Sequence, residues 1–177
     1  MADNDANRPA VTVTVVGLSD VGRVREHNED NFLVLDAAAR RRQDNGERRQ
    51  FDVQGPLVLA VADGMGGAAA GEVASQLAVE RFSRDMGEMD LRDVTPDQLM
   101  AKIDQALQAA NDDILKNVEQ NAERKGMGTT FTSAVVVGGT AFVAQMGDSR
   151  GYLLRKSKLH RLTRDQSLIE QLIEEGT

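Results

Sequence analysis

Residues 61–75 read VADGMGGAAAGEVAS, and they place one carboxylate where a buried strand gives way to a helix. The apolar run 58–62 predicts a strand with Asp63 at its carboxyl end. The glycines that follow leave the backbone open to close approach, and Gly71-Glu72 then begins a helix. Divalent cations such as Mg²⁺ or Mn²⁺ prefer carboxylate, carbonyl and water oxygens. The segment therefore predicts a metal site, and the alternative is a glycine-rich connection in which Asp63 only caps the helix.

Acidic residues also stand beside two other predicted strands. Glu29 and Asp30 precede one strand, and Asp148 follows another. Because side chains alternate along a strand, Glu29 and Asp30 share a face only if a bend lies between them. Arg25 adds a planar, permanently charged group that suits a phosphate. Such a set indicates metal-assisted hydrolysis of a phosphate ester, in which two ions about 3.5–4 Å apart activate a water.

Four sequence motifs occur in an order that identifies a family. The chain resembles the type 2C metal-dependent Ser/Thr protein phosphatases, and their bacterial branch in particular. The resemblance runs from about residue 12 to the last residue given. The motifs are SDVGRVREHNED (19–30), VADGMGGAAAGEVAS (61–75), GMGTT (126–130) with QMGDSRGYLLR (145–155), and LTRDQSLIEQLIEEGT (162–177).

The resemblance implies a role for each candidate residue. Arg25 would bind the substrate phosphate, and Asp63 would bridge two metal ions. The implied metal ligands are Asp30, Asp63, the Gly64 carbonyl oxygen and, for a weaker third ion, Asp148. Glu29 would meet the metals through their bound waters. The implied cofactors are two Mn²⁺ or Mg²⁺ ions, and the implied reaction is hydrolysis of phosphoserine or phosphothreonine in proteins by a metal-bound hydroxide.

Other residues in the motifs are expected to support the structure. We predict that four of them make loop and core hydrogen bonds: Thr129, Thr130, Ser149 and Arg150. The family often has a histidine where Ala68 and Gln166 stand, so these departures remove two proton donors or supporting partners. The two histidines of the chain, His27 and His160, match no catalytic position of the family. His27 is expected to be exposed to solvent, and His160 half-exposed in a strand.

The family domain is longer than this chain, and its last third supplies two further metal-binding aspartates. We therefore expect residues 11–177 to be the N-terminal two thirds of a type 2C phosphatase domain behind a polar tail, residues 1–10. The metal centre would then be under-ligated, because two divalent ions carry more charge than the three nearby carboxylates. This leaves an alternative function, a truncated and catalytically impaired phosphatase-like module with a binding or regulatory role.

The amino-acid composition of the chain excludes several classes of enzyme and binding partner. The chain has 177 residues, no cysteine and a net charge of −7. The lack of cysteine excludes a cysteine-based phosphatase and fits a reducing compartment. The negative charge argues against nucleic acid or an anionic membrane as partner. With no signal-peptide pattern at the start, we expect a cytoplasmic enzyme acting on phosphorylated proteins, opposite a Ser/Thr kinase or on a phosphorylated regulator.

Hydrophobic periodicity predicts an α+β fold, and the resemblance implies an αββα sandwich of two mainly antiparallel sheets. One helix is predicted from about Glu72 to Met86. A second begins with a capping box at Thr95, Pro96 and Gln98. Gly138-Gly139 predicts a tight hairpin turn. Strands are predicted at 11–18, 31–36, 57–62, 131–137, 141–146, 151–155 and 158–162.

One segment matches none of the motifs. Residues 37–56, AAARRRQDNGERRQFDVQGP, carry five arginines between two predicted strands. The simpler interpretation is a solvated flexible loop. The alternative is a docking surface for an acidic or phosphorylated partner, since arginine binds such groups through forked hydrogen bonds.

Overall fold

The computed structural model describes residues 11–53, 55–66, 70–89 and 94–166 and confirms the α+β class. The helices are α1 (Ala70–Glu88) and α2 (Pro96–Gln120), followed by a 3₁₀ turn at Ala122–Arg124. The strands are β1 (Thr12–Val16), β2 (Asp30–Asp36), β3 (Arg41–Arg42), β4 (Arg48–Asp52), β5 (Leu57–Met65), β6 (Gly128–Thr129), β7 (Phe131–Val137), β8 (Thr140–Met146), β9 (Tyr152–Arg155) and β10 (Lys158–Arg161).

The central sheet is antiparallel and has the strand order β3-β2-β5-β7-β8, with β6 paired to the end of β5. The predicted hairpin between β7 and β8 is confirmed, since Gly138 and Gly139 have φ values of 55° and 84°. Two smaller units complete the fold, a β1–β4 ribbon and a β9–β10 hairpin, both antiparallel.

The two helices pack on one face of this sheet and bury its larger core. Phe82 of α1 and Phe131 of β7 are fully buried, with ring centroids 5.0 Å apart. Burying one such ring contributes about 1.5–3 kcal/mol. The capping box of α2 is confirmed: the Thr95 side chain accepts the Gln98 amide, and the Gln98 side chain accepts the Thr95 amide. The helix therefore begins where its sequence predicts.

The β1–β4 ribbon packs on the other face of the sheet. Val34, Phe51 and Leu57 form a smaller buried cluster there. The described residues thus form three layers, helices, central sheet and ribbon, which correspond to three layers of the implied αββα sandwich. Within the same residues, no helix combines the length and apolar character needed to cross a bilayer.

Two predictions of secondary structure are wrong in detail. The strand expected to end at residue 62 continues to Met65, because Gly64 and Met65 pair with Thr129 and Gly128. The flexible-loop interpretation of residues 37–56 also fails, since that segment forms β3 on the edge of β2 and β4 on β1. Ala68, the predicted tail 1–10 and the motif residues 167–177 lie outside the described residues.

Candidate metal and phosphate site

Asp30 and Asp63 lie directly opposite each other in the central sheet. The antiparallel register of β2 and β5 pairs the two residues, and side chains at such paired positions have Cβ atoms about 4.5–5.5 Å apart. The strand register therefore brings together two carboxylates that are 33 positions apart in the sequence.

This proximity changes the acidity of Asp63. Its pKa is raised above the ordinary value, first by burial and then by the charge and hydrogen bond of Asp30, with a further contribution from the Asp148 charge. The Arg25 charge acts in the opposite direction. Like charges held this close disfavour ionisation, so the site would gain from a cation placed between the carboxylates. Three of the predicted site residues, Asp30, Asp148 and Arg25, therefore act on Asp63 through their charges.

Two threonines hold the backbone of Asp63. The Asp63 amide donates to the Thr130 hydroxyl at 3.1 Å, while the Asp63 carbonyl accepts the Thr130 amide at 2.9 Å and the Thr129 hydroxyl at 3.0 Å. The prediction of hydrogen-bonding roles for both threonines is confirmed. Asp63, predicted at the carboxyl end of the strand, lies two residues before the end of β5.

Gly64 lies at a close contact of three segments. Its amide donates to the Glu29 carbonyl at 3.1 Å. A Cβ at this position would lie 2.1 Å from the Gly71 carbonyl oxygen and 2.5 Å from the Glu29 carbonyl oxygen. Only glycine leaves room there, so the start of α1 and the residue before β2 can both approach the strand beside Asp63.

Glu29 and Asp30 do not share a face. The Glu29 side chain lies against the start of α1, close to Gly71, where the helix dipole favours a negative charge. Its carboxylate is 3.5 Å from the Arg25 guanidinium, and the Arg25 side chain as a whole is 76% exposed. The structure therefore places Glu29 where it can orient Arg25, while Arg25 stays open to solvent.

A buried serine supports this arrangement, and sequence reasoning missed it. The Ser75 hydroxyl donates to the Glu29 carbonyl at 2.6 Å and accepts the Asn31 side-chain amide at 3.0 Å. Ser75 is completely buried in α1. A small polar residue on the core face of a predicted helix is the signal that could have found it.

The Asp148 loop is held by hydrogen bonds to Thr130, Thr132 and Gln166. The Ser149 hydroxyl is 2.6 Å from that of Thr130, and the Ser149 carbonyl accepts the Thr132 hydroxyl at 2.7 Å. Gln166 accepts the Gly147 amide at 3.0 Å through its side chain and donates its own amide to the Gly147 carbonyl at 2.9 Å. At the position where the family often has histidine, this chain therefore carries a residue that fixes the loop before Asp148.

Arg150, predicted to make hydrogen bonds, does so at the base of the β9–β10 hairpin. Its guanidinium donates to Asp165 at 2.6–3.1 Å, and the pairing with Arg150 lowers the Asp165 pKa. His27 is exposed as expected, while His160, predicted to be half-exposed, is exposed as well, in β10.

The described donors are of the kind that a hard divalent cation requires. Asp30 and Asp63 supply carboxylate oxygens, and the backbone beside Gly64 is bare. Carboxylates, carbonyls and water suit Mg²⁺ and Mn²⁺. Among the described residues, no three acidic or histidine side chains cluster closely enough to form a complete site by themselves. The residues present fit a divalent cation as a partial set of ligands.

Comparison with known proteins gives consistent matches. Residues 37–171 match the sequence profile described as Protein phosphatase 2C. The chain is 36% identical over 170 residues to the serine/threonine protein phosphatase PstP of Mycobacterium tuberculosis, covering 96% of this chain and 28% of PstP. It is 37% identical over 158 residues to the serine/threonine phosphatase stp of Listeria monocytogenes, covering 89% of this chain and 56% of that protein.

Solved structures agree with the sequence matches. The catalytic domain of PstP in complex with two manganese ions superposes with a TM-score of 0.67 at 36% identity, covering 94% of this chain and 60% of that one. The serine/threonine phosphatase of S. agalactiae superposes with a TM-score of 0.76 at 28% identity, covering 94% of this chain and 61% of that one. The chain therefore spans between about a quarter and six tenths of the length of these proteins.

Proposed function

The chain belongs to the protein phosphatase 2C family, and from this premise we propose that it hydrolyses phosphoserine and phosphothreonine in proteins. The observation that carries the proposal is the Asp30–Asp63 pair, held in strand register next to Arg25. The relatives and structures compared above are all named as phosphatases, which gives no support to a non-catalytic binding module.

The metal-binding role falls to oxygen donors of this chain. We assign Asp63 and Asp30 as carboxylate ligands, the Gly64 carbonyl as a backbone ligand and Asp148 as the ligand of a third ion. A PstP structure holds two manganese ions, which supports Mn²⁺ here, with Mg²⁺ as the alternative. When bound, such ions lower the pKa of a coordinated water and so supply the nucleophile.

The remaining steps belong to the side chains. Arg25 binds the phosphate oxygens through its planar guanidinium, and Glu29 orients that guanidinium from 3.5 Å. Thr129 and Thr130 hold the Asp63 backbone, so the carboxylate does not have to reorganise when the substrate binds. The phosphorylated proteins would be substrates of a Ser/Thr kinase or regulators in a cytoplasmic signalling switch. Residues 11–177 would act as part of one phosphatase domain.

The test is phosphate release from a phosphothreonine peptide by the native protein. We expect turnover with Mn²⁺ or Mg²⁺ and none in excess EDTA, with no phosphoenzyme trapped on acid quenching. Undiminished turnover in EDTA, or a labelled phosphoenzyme, would contradict the proposal.

A further inference from the structure

The arginine-bearing segment between β2 and β5 is fixed next to the candidate site. Its turn, residues 43–47, binds the chain that follows β1: the Gly46 amide donates to the Gly17 carbonyl at 2.8 Å. Asn45 and Ser19 form a reciprocal pair, in which the Ser19 amide donates to the Asn45 side chain at 2.8 Å and the Asn45 side chain donates to the Ser19 carbonyl at 2.9 Å. The segment is therefore positioned by several hydrogen bonds.

The same hydrogen bonds continue to Asp30. The Ser19 hydroxyl accepts the Asn28 side-chain amide at 2.8 Å and donates to the Asp30 carbonyl at 3.3 Å. The Asp30 amide donates to the Asn28 side-chain oxygen at 3.1 Å. A change in the position of the turn would therefore move the backbone of Asp30, one of the two paired aspartates.

A polar pocket of about 480 Å³ lies between this turn and Asp30. Asp30 and Arg42 both line it, together with Asn28, Asn45 and Ser19. That volume lies within the range of about 300–1,000 Å³ typical of ligand pockets, and an extended peptide advances about 3.3 Å per residue. The pocket therefore has room for two or three residues of a peptide that leads away from the phosphate site.

Arg42 is the cation in this pocket without a carboxylate partner. It is exposed, and within the described ranges no carboxylate oxygen lies within 4 Å of its guanidinium. Arg49 of the same segment differs, because it pairs with Glu47. Asp44 also lines the pocket and partly offsets the Arg42 charge, so the electrostatic effect on a ligand should be modest.

We infer that this pocket is a specificity site for the phosphatase reaction, in which Arg42 binds an acidic side chain of the substrate two or three residues from the phosphorylated residue. The inference rests on the proposed function for the position of the phosphate. The guanidinium offers paired donors to a carboxylate.

The test uses four pairs of phosphothreonine peptides on the native full-length protein. The members of a pair carry Glu or Gln at one position, two or three residues before or after the phosphothreonine. For an exposed ion pair, we expect kcat/KM to favour Glu about three- to fivefold at one position at least. The preference should shrink in 0.5 M salt, since added ions screen exposed charges.

Three variants distinguish binding at this pocket from non-specific electrostatic attraction of acidic peptides to the protein surface. Arg42→Gln should abolish the preference, and Asp44→Asn should increase it. Arg48→Gln removes the same charge from an exposed position outside the pocket and should leave the preference unchanged. Hydrolysis of p-nitrophenyl phosphate, which has no peptide, should stay within twofold in all three.

Peptide binding is measured in parallel by fluorescence anisotropy in EDTA, where no turnover is required. If the protein binds Glu peptides better through Arg42 but hydrolyses none of the peptides, the specificity site stands and the proposed function fails. If both members of every pair are hydrolysed equally well, the function stands and the inference is wrong. Two other outcomes would also overturn the inference. One is an equal loss of the Glu preference in Arg42→Gln and Arg48→Gln, and the other is an Arg42-dependent preference for an oligonucleotide over the peptides.

Discussion

Replacing Gly64 by alanine should damage stability and metal binding together. The new Cβ would lie 2.1 Å from the Gly71 carbonyl oxygen and 2.5 Å from the Glu29 carbonyl oxygen. An ordinary carbon–oxygen contact is about 3.3 Å or longer, so the start of α1 or the residue before β2 must move by about 1 Å. Neither oxygen belongs to a flexible side chain that could turn away.

The size of the effect follows from these contacts. Overpacking costs about 1–3 kcal/mol, and losing the hydrogen bond from the Gly64 amide to the Glu29 carbonyl adds about 1 kcal/mol. We therefore expect the free energy of unfolding to fall by about 2–4 kcal/mol. With a typical urea dependence of about 2 kcal/mol per molar, the unfolding midpoint should drop by about 1–2 M. Mn²⁺ affinity measured by calorimetry should fall as well, since the proposed carbonyl ligand shifts.

The matched control is Gly87→Ala in the same helix that Gly64 approaches. A Cβ at Gly87 would meet only a Leu35 methyl group, at 3.6 Å, and alanine stabilises helix positions by up to about 1 kcal/mol relative to glycine. This variant should equal or exceed the parent in stability. The reasoning is refuted if Gly64→Ala unfolds within about 0.5 kcal/mol of the parent and binds Mn²⁺ equally well.

Three further substitutions test the site and the fold separately. Asp63→Asn should abolish turnover, yet it should stabilise the metal-free protein at pH 7. The folded-state pKa of Asp63 is raised, so ionising this carboxylate lowers the free energy of unfolding, and the loss accumulates as pH rises from the unfolded to the folded pKa. A urea titration in EDTA that finds the variant less stable than the parent would contradict this. Arg25→Ala should raise KM for phosphopeptides with little change in melting temperature, because the side chain is 76% exposed; unchanged steady-state kinetics would exclude its phosphate role. Thr95→Ala should lower the free energy of unfolding by about 1 kcal/mol by removing the α2 cap while leaving kcat unchanged, and an effect on kcat in the assay would show that the cap is coupled to the site.

Local signals in the sequence were enough for the elements whose cause is local. The α2 start at Thr95 depends on residues within three positions, and the β7–β8 turn depends on two adjacent glycines. The candidate carboxylates could also be named, because Asp30 and Asp63 each stand next to an apolar run. For the α2 start and the β7–β8 turn, the sequence neighbours are also the structural neighbours.

Features that depend on distant partners could not be predicted in this way. The extension of β5 through Gly64 exists only because the two-residue β6 pairs with it. In β4, Phe51 is buried and Arg49 is partly buried against Glu47. A segment with the composition of a loop therefore forms a strand because it pairs with the distant β1. The opposite directions of Glu29 and Asp30 likewise depend on where β2 begins.

Asp63 lies inside a strand whose next two residues pair with β6. This placement would limit which cations the proposed centre can bind. A carboxylate on a loop can swing outward to suit a larger ion, but one fixed in a hydrogen-bonded sheet has less freedom to do so. Ca²⁺ requires oxygen distances of about 2.3–2.6 Å and Mg²⁺ about 2.0–2.1 Å. In the proposed centre, the pairing of Gly64 and Met65 with β6 would make the sheet itself a filter for ionic radius, because the backbone would limit how far the Asp63 carboxylate can move.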